Sequence, residues 1–132
     1  MQLIPDSHAD LLVRPLPSVL VTLQPDGRPQ SSVVWIDYTN GVLTLNTERG
    51  RRKTRNMERD PRATILVVDP DNQHRYIELR CNVTSVSETG ALEHRARLDT
   101  AYIGPGHHSD PADDAAPRVI VTLAPVVANA YG

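Results

Sequence analysis

Residues 18–47, SVLVTLQPDGRPQSSVVWIDYTNGVLTLNT, decide the fold class, because apolar and polar residues alternate in them on either side of two turn signals. The first signal is PDGR at residues 25–28, which places Pro and Gly where a tight turn needs them. The second is Asn40-Gly41, the dipeptide most typical of a β-hairpin turn. The stretch therefore predicts three antiparallel strands, at residues 18–24, 29–37 and 42–47.

The rest of the chain adds short elements of both kinds. Further apolar runs predict strands at residues 63–68, 76–86 and 118–123. Helices are predicted at residues 7–13 with Ser7 as the cap, at 50–60 before Pro61, and at 89–103 with Thr89 near the cap. Six strands, mostly joined by hairpins, predict a mainly β fold with short α-helices in a single domain of residues 1–132. The expected architecture is a six-stranded antiparallel barrel, because closing a sheet removes its exposed edges.

Composition narrows the class of protein. The chain has 132 residues, of which 39% are apolar, and 14 Lys+Arg against 16 Asp+Glu give a net charge of −2. These values are typical of a globular domain and give no general basic field for nucleic acid. The apolar runs are far too short to cross a bilayer, and the opening residues lack the basic start of a signal peptide. We therefore predict a cytoplasmic protein with no nucleic-acid partner and no membrane partner.

A basic cluster occupies residues 49–59 and contains six of the 14 Lys and Arg residues of the chain. Its members are Arg49, Arg51, Arg52, Lys53, Arg55 and Arg59. In a helix, like charges at i and i+4 repel each other, and cations in the first turn oppose the helix dipole by about 0.3–1 kcal/mol each. A bound anion would reverse both penalties, because first-turn N–H groups and guanidinium groups favour a phosphate. The basic cluster therefore predicts an anion-binding site.

Two other interpretations of the basic cluster stay open at this point. A solvated basic face, paired with Glu48, Glu58 and Asp60, would need no ligand. Nucleic acid also uses such clusters, but the segment contains no aromatic residue for stacking and the net charge is negative. A small phosphorylated ligand is the interpretation that we favour, because an anion at the helix start would offset both penalties and the segment lacks the features typical of nucleic-acid binding.

Several short motifs occur in an order that resembles a known family. They are DGRPQ at residues 26–30, Val34-Trp35, LNT at residues 45–47, RRKTRNM at residues 51–57 and RDPRA at residues 59–63. In this combination the chain resembles the pyridoxamine 5'-phosphate oxidase-like family of FMN-binding split β-barrels. Within that family it is most similar to the branch that uses the deazaflavin coenzyme F420. The resemblance covers residues 18–86 and extends weakly to the last strand.

The resemblance implies a homodimer of six-stranded barrels with the cofactor in a groove at the subunit interface. It implies that Arg51 and Lys53 bind the cofactor phosphate, with Arg52 or Arg55 assisting. It also assigns residues to the rest of the groove. Gln30, Ser31, Ser32 and Val34 would run beside the cofactor ring, and Asn46 and Thr47 would line the groove between ring and phosphate.

The implied chemistry is hydride transfer, which a deazaflavin or flavin carries itself, so that the protein supplies binding, orientation and a dry pocket. The chain contains no Gly-x-Ser-x-Gly, His-Glu-x-x-His or glycine-rich phosphate motif. We predict an F420-dependent oxidoreductase that transfers a hydride to an activated double bond or a quinone-like acceptor, and no catalytic residue is singled out. The alternatives are an FMN-binding oxidoreductase of the same fold and a non-catalytic cofactor carrier. F420 is favoured over FMN because the basic cluster has more positive groups than one phosphate needs.

Three further features receive structural interpretations. His107 and His108, with nearby aspartates, lie in a loop at residues 104–117, whose composition is typical of a mobile loop; a substrate lid is the functional alternative that we favour over a metal site. Trp35 is expected in the core or the dimer interface. Cys81 alternates with apolar residues, which predicts a small buried side chain and not a reactive thiol.

Overall fold

The computed structural model describes residues 2–132, in which seven strands form one antiparallel sheet. The strands are β1 Ser18–Leu23, β2 Pro29–Val34, β3 Ile36–Thr39, β4 Val42–Glu48, β5 Arg62–Val68, β6 Tyr76–Ser87 and β7 Arg118–Tyr131. The α-helices are α1 Asp10–Val13, α2 Arg52–Arg59 and α3 Ala91–Tyr102, and 3-10 turns span Asp6–His8 and Pro111–Asp113. The order of strands across the sheet is β2-β1-β5-β6-β7-β4-β3. This curled sheet confirms the mainly β split-barrel class.

The sheet has seven strands and not six because the second predicted strand is divided at Trp35. Its first half, β2, pairs with β1 at one edge of the sheet, and its second half, β3, pairs with β4 at the opposite edge. A single residue therefore carries the chain from one edge to the other. The two edges meet at Trp35, so the covalent backbone closes the barrel where strand pairing does not.

The core lies inside the curl and is built by alternation along the strands. Alternate residues of β1, β4, β5, β6 and β7 are buried, as strands with one inward face require, and all of them are apolar except Ser18, Thr22 and Thr47. Each buried Leu or Ile side chain contributes about 1.5–3 kcal/mol through removal of apolar surface from water. Cys81 belongs to this core at 3% exposure, and burial raises the pKa of its thiol to about 12. The expectation of a buried, unreactive cysteine is thus confirmed.

Both predicted hairpin turns form. The β3–β4 turn uses Asn40 at φ 54° and Gly41 at φ 77°, the pair of positive values that a type I′ turn requires. In the β1–β2 turn, Gly27 has φ 88°, and the backbone N–H of Gln24 donates to the carbonyl of Arg28 at 2.9 Å. The local signals in residues 18–47 therefore produced both predicted hairpins, although the two hairpins do not share a continuous second strand.

The helix starts differ from the prediction. The first helical segment is a 3-10 turn followed by a one-turn helix, and Ser7 caps neither, since its hydroxyl hydrogen-bonds His8 Nδ1 instead. The N-cap of α3 is Gly90 and not Thr89. Gly90 has φ 74°, a left-handed conformation that glycine adopts without strain. Ser7 and Thr89 thus predicted where the helices begin to within a few residues, but neither side chain caps a helix.

The last strand is longer than predicted. It continues from the expected residues 118–123 to Tyr131, pairing with β6 from Ser87↔Ile120 to Tyr76↔Tyr131. The register shifts where Cys81 opposes Pro125, and Val126 bulges out of the pairing. Because Pro125 has no N–H to donate in a regular strand pairing, the sequence pattern did not predict that the strand continues beyond residue 123.

Candidate functional site

A cavity of about 640 Å³ opens between the Trp35 junction, the start of α2, one face of α3 and the loop at residues 104–117. One wall is apolar and contains Val33, Val34, Trp35, Leu98 and Ile103. Its lining also contains three cations, Lys53, Arg95 and Arg118, which we call its cationic wall, and four aspartates, Asp99, Asp110, Asp113 and Asp114. The cavity therefore combines apolar and cationic surface, which suits a ligand that has an apolar part and an anionic part.

The start of α2 aims Lys53 at this cavity. Arg51 is extended (φ −65°, ψ 154°), and the helix begins at Arg52. Thr54 ties the first turn of α2 to the end of β4, because its buried hydroxyl donates to the carbonyl of Glu48 at 2.8 Å. The inward face of α2 is held by Asn56, whose amide donates to the Thr22 hydroxyl at 3.1 Å. The first turn contains no acidic residue, so no carboxylate within it offsets its free N–H groups and its cations.

Lys53 is a half-buried cation among other cations. Burial, followed by the charges of Arg51 and Arg118, lowers the pKa of its ammonium group below the usual range. Among the carboxylates of residues 2–132, none lies within 4.0 Å of the Lys53 ammonium. The protein thus holds a positive charge without a paired carboxylate at the wall of this cavity.

Arg118 is a second cation of this wall, and the sequence analysis missed it. The pairing of β4 with β7 sets Arg118 opposite Glu48. Its Nε donates to Asn46 Oδ1 at 2.7 Å, and its Nη1 lies 3.7 Å from Glu48 Oε1. Burial and the charge of Arg95 lower the pKa of this guanidinium. Only the long-range strand pairing brings Arg118 to Lys53, so no local pattern could have revealed it.

The loop at residues 104–117 is tied to α3 at two points. Arg95 Nη1 donates to Asp114 Oδ1 at 2.6 Å, and this pair is largely buried. Buried Asp99 accepts the backbone N–H of Ser109 at 2.8 Å. His107 and His108 therefore lie on the cavity wall. The expected role of the loop as a substrate lid stays a prediction, and its position at the cavity is the structural observation on which that prediction depends.

The charges grouped around Lys53 and Arg118 do not balance. We call the following six residues the cavity cluster: Arg51, Lys53, Arg95, Arg118, Glu48 and Asp114. Glu48 accepts from Arg51 at 3.3 Å and lies near Arg118, and Asp114 pairs with Arg95. Within this cluster four cations share two carboxylates, which leaves a local excess of two positive charges, while Asp99, Asp110 and Asp113 also line the cavity. In a partly desolvated site such an excess favours an anionic ligand.

The sequence-predicted residues divide between the cavity and its surroundings. Lys53, Val34 and Asn46 line the cavity. Arg51 stands beside it, more than half exposed and paired with Glu48. Arg52 and Arg55 are exposed and do not line it, and Thr47 is buried. The structure thus brings part of the predicted set together, and the binding roles of all of these residues stay predictions.

The predicted ring-contact residues of β2 follow its alternation. Ser31 is exposed, whereas Gln30, Ser32 and Val34 share the inward face. Gln30 Oε1 accepts from the Thr22 hydroxyl at 3.2 Å, at the α2 end of this face. Within residues 2–132, the buried hydroxyl oxygen of Ser32 has no hydrogen-bond partner. Gln30, Ser31 and Ser32 do not line the cavity, so of the predicted ring-contact residues only Val34 reaches it.

Trp35 marks the junction between the two walls and the two sheet edges. Its ring stacks on Tyr102 of α3, with centroids 4.9 Å apart and planes at 10°. The Tyr102 hydroxyl accepts from the backbone N–H of Ile36 at 3.0 Å, which fixes the first residue of β3. Trp35 is therefore held by α3 within the barrel and presents part of its surface to the cavity.

Comparisons with known proteins agree with this architecture. The family model described as pyridoxamine 5'-phosphate oxidase matches residues 4–130. A solved structure named F420 reductase is 33% identical, has a TM-score of 0.87, and the match covers 96% of this chain and 98% of that protein. A conserved hypothetical protein, Rv2991 from Mycobacterium tuberculosis, is 25% identical with a TM-score of 0.74, covering 99% and 88%. A putative pyridoxamine 5'-phosphate oxidase from Listeria innocua, 17% identical over 92% and 93% with a TM-score of 0.69, shares the fold.

Proposed function

The chain belongs to the pyridoxamine 5'-phosphate oxidase-like family, and from that premise we propose that it is an F420-dependent oxidoreductase. The proposed reaction transfers a hydride between the deazaflavin and a small organic acceptor with an activated double bond or a quinone-like ring. The similarity to the structure named F420 reductase, at 33% identity over nearly the whole of both chains, supports the choice of cofactor.

The observation that carries the proposal is the uncompensated charge of Lys53. A half-buried ammonium with a lowered pKa and no carboxylate within 4.0 Å in residues 2–132 destabilises the free protein. A phosphate beside it removes that penalty and gains charge-assisted hydrogen bonds from Lys53 and Arg118. A solvated basic face would instead extend its cations into water, as Arg52 and Arg55 do.

The residues present fit the proposed cofactor at both of its ends. The cationic wall suits the phosphate, and the apolar wall with Val34 and Trp35 suits the ring. When bound there, the deazaflavin supplies the hydride chemistry. The protein binds the phosphate through Arg51, Lys53 and Arg118, orients the ring on β2, and excludes water with the loop at residues 104–117.

A second copy of the chain is part of the proposal. Val33 lines the cavity and is 67% exposed on the edge strand β2, so a partner subunit that covers it would complete the apolar wall. We therefore expect a homodimer with the cofactor at the interface. Sedimentation at working concentration should give about twice the monomer mass of 14.6 kDa, and a monomer would contradict this part of the proposal.

Side-by-side titration with F420 and FMN tests the cofactor. Protein prepared in a host that lacks deazaflavin should be colourless, quench the fluorescence of added F420, and bind FMN more weakly. A yellow preparation with stoichiometric FMN would assign the FMN-dependent reaction instead. Binding of neither compound would reject the proposal as a whole.

A screen of electron acceptors separates an enzyme from a carrier. An oxidoreductase accelerates the reoxidation of reduced F420 by at least one activated alkene or quinone. A carrier binds the cofactor tightly and accelerates none of them. The Lys53→Met variant serves as the control, because it should lose the rate together with cofactor binding.

A further inference from the structure

His94 is a buried histidine with a hydrogen-bond partner at each ring nitrogen. It lies on α3 and is 3% exposed. Its Nδ1 is 3.0 Å from Asn46 Nδ2, and its Nε2 is 2.9 Å from Thr44 Oγ1. Asn46 Oδ1 in turn accepts from Arg118 Nε at 2.7 Å. His94 therefore contacts the cavity cluster through one intervening side chain.

The orientation of the Asn46 amide follows from two partners, one of which can only accept a hydrogen bond and the other only donate one. The carbonyl of Ala91, 2.7 Å away, can only accept, so the atom facing it must be the amide nitrogen. The Nε of Arg118 can only donate, so the atom facing it must be the amide oxygen. These two contacts define the amide independently of the histidine. The second hydrogen of the same NH₂ group then points at His94 Nδ1.

This orientation determines the tautomer of His94. Because Asn46 donates to Nδ1, that nitrogen must be unprotonated and accept. The ring proton therefore lies on Nε2, which donates to the hydroxyl of Thr44. His94 is held as the neutral Nε2–H form, with both nitrogens satisfied.

We propose that neutral His94 is a positioning residue for the anion end of the cavity, acting through Asn46 to hold Arg118 toward the ligand. This inference rests on the proposed function for the identity of the ligand, whereas the hydrogen-bond chain itself belongs to the free protein. Arg118 makes its 2.7 Å contact with an amide oxygen that His94 and Ala91 together keep in place. Loss of the Nδ1 acceptor frees the amide to turn and removes the constraint on the guanidinium.

Protonation of His94 breaks the chain in a defined way. A proton on Nδ1 would set an N–H donor against the NH₂ group of Asn46, and turning the amide to relieve this would set NH₂ against Arg118 Nε. Ligand affinity should therefore be full where His94 is neutral and decline as it becomes protonated. Burial and the charge of Arg97 lower the pKa of His94 below 6.5, while Asp37 opposes them, so the decline falls below pH 6.5.

The charged and titratable groups around His94 come from several elements. A smaller cavity of about 250 Å³ lies beside it, between α3, β3 and the end of α1. The groups that face it there are Arg14, Asp37, Tyr38, Arg97 and Tyr102. On the opposite side, Arg118 is the nearest charge, beyond Asn46. Of all these groups, none other than His94 has an ordinary pKa between about 5 and 8.

Two substitutions separate positioning from simple packing. In His94→Asn the side-chain oxygen supplies an acceptor near the place of Nδ1 and does not titrate, so affinity for F420 should stay within about twofold and lose its decline below pH 6.5. In His94→Leu the acceptor is absent, so affinity should fall by about tenfold at every pH. Equal affinity in both variants, or an unchanged pH profile in His94→Asn compared with the native chain, would overturn the inference.

Nitrogen NMR of the ligand-free protein tests the same chain without the proposed function. The ring of His94 should show an unprotonated Nδ1 and a protonated Nε2, and the Arg118 Nε–H should exchange slowly with water. Exchange of that Nε–H should become faster in His94→Leu and stay slow in His94→Asn. An Nδ1–H tautomer of His94 would refute the positioning role. So would an exchange rate of the Arg118 Nε–H that is the same in the native chain and in both variants. If the native chain binds neither F420 nor FMN, the proposed function fails while these NMR results still decide the role of His94.

Discussion

Two charged clusters of this molecule differ in the balance between their cations and their carboxylates. The cavity cluster contains more cations than carboxylates, whereas the Arg75 cluster, which joins the N-terminal helices to the β5–β6 loop, contains fewer. The Arg75 cluster consists of Arg14, Arg75, Asp10, Asp69 and Asp71. Arg75 bonds both Asp10 and Asp69, the latter at 2.8 Å. In this network two arginines form ion pairs with three carboxylates, so each charged group has a partner within the cluster.

The pKa shifts separate the two clusters by sign. In the Arg75 cluster each partner stabilises the charged form of the other. The hydrogen bond from Arg75 lowers the pKa of Asp10, and the backbone N–H of Asp71 followed by Arg75 lowers that of Asp69. The pKa of Arg75 itself is raised. In the cavity cluster the pKa values of Lys53 and Arg118 are lowered, so their charged forms are disfavoured. A structural network satisfies its charges, and a binding site leaves them for a ligand.

The largest effect should come from Lys53→Met. Removing the ammonium eliminates a charge-assisted hydrogen bond to the phosphate, and F420 affinity should fall by about tenfold to a hundredfold. Tm should stay equal or rise, because a desolvated cation repelled by Arg51 and Arg118 is removed. Fluorescence titration and thermal melting check both results. Arg52→Met and Arg55→Met are matched controls on the same helix and should leave affinity nearly unchanged, since neither side chain lines the cavity; an effect equal to that of Lys53→Met would remove the distinction.

Arg75→Met should produce the reverse pattern. The substitution leaves the carboxylates of Asp10 and Asp69 without their principal partner, so Tm should fall by several degrees while F420 affinity is unchanged. Arg80→Met provides the comparison, because Arg80 is 61% exposed and makes a single pair with Glu78. Unchanged melting in Arg75→Met would show that the Arg75 cluster contributes no stability.

The pH dependence of melting should distinguish the clusters by direction. The carboxyl pKa values of Asp10 and Asp69 lie below 3.8 in the folded chain, so their stabilisation is complete above that value and is lost as pH falls through the folded pKa. The Tm difference between the native chain and Arg75→Met should therefore be constant near neutral pH and shrink as pH falls below about 3.8 and through the folded pKa values. A difference that stays constant as pH falls through those values would contradict the assignment.

Lys53 should give the opposite dependence at alkaline pH. Its folded pKa lies below 10.5, so the charged form destabilises the fold at neutral pH, and this penalty disappears as pH rises through the folded pKa. Any Tm advantage of Lys53→Met should accordingly vanish toward pH 10.5, which melting at a series of alkaline pH values would detect.

The smallest effect is expected for Arg49, the first residue of the basic cluster. It is about one-third exposed and pairs with Glu58 at 2.9 Å and Glu88 at 3.2 Å, both of them partly solvated. Pairs of this kind contribute about 0–1 kcal/mol. Arg49→Met should therefore change neither F420 affinity nor Tm appreciably. A large loss of affinity would mean that the basic cluster, and not only its cavity-facing members, binds the ligand.

For the basic cluster, the sequence predicted some features of the site and not others. Its position at the start of a short helix was predictable, because cations at that end are unfavourable for any helix and the unfavourable pattern is visible in the residues. Which of its members face the cavity was not predictable. Lys53 turns inward and Arg52 and Arg55 outward because Thr54, Asn56 and Met57 are buried in the barrel, and this rotation of α2 depends on packing against β1.

The amino-acid sequence by itself determined the strands, the two hairpins and the expectation of an anion near α2, because alternation, turn chemistry and charge spacing act between neighbours in the chain. The tertiary structure decided the division of the second strand at Trp35, the arrival of Arg118 beside Lys53, and the chain from His94 to the cavity. Those features depend on strand pairing and helix docking between distant residues. Burial then changes the pKa values of the groups that it brings together, and no local pattern contains that information.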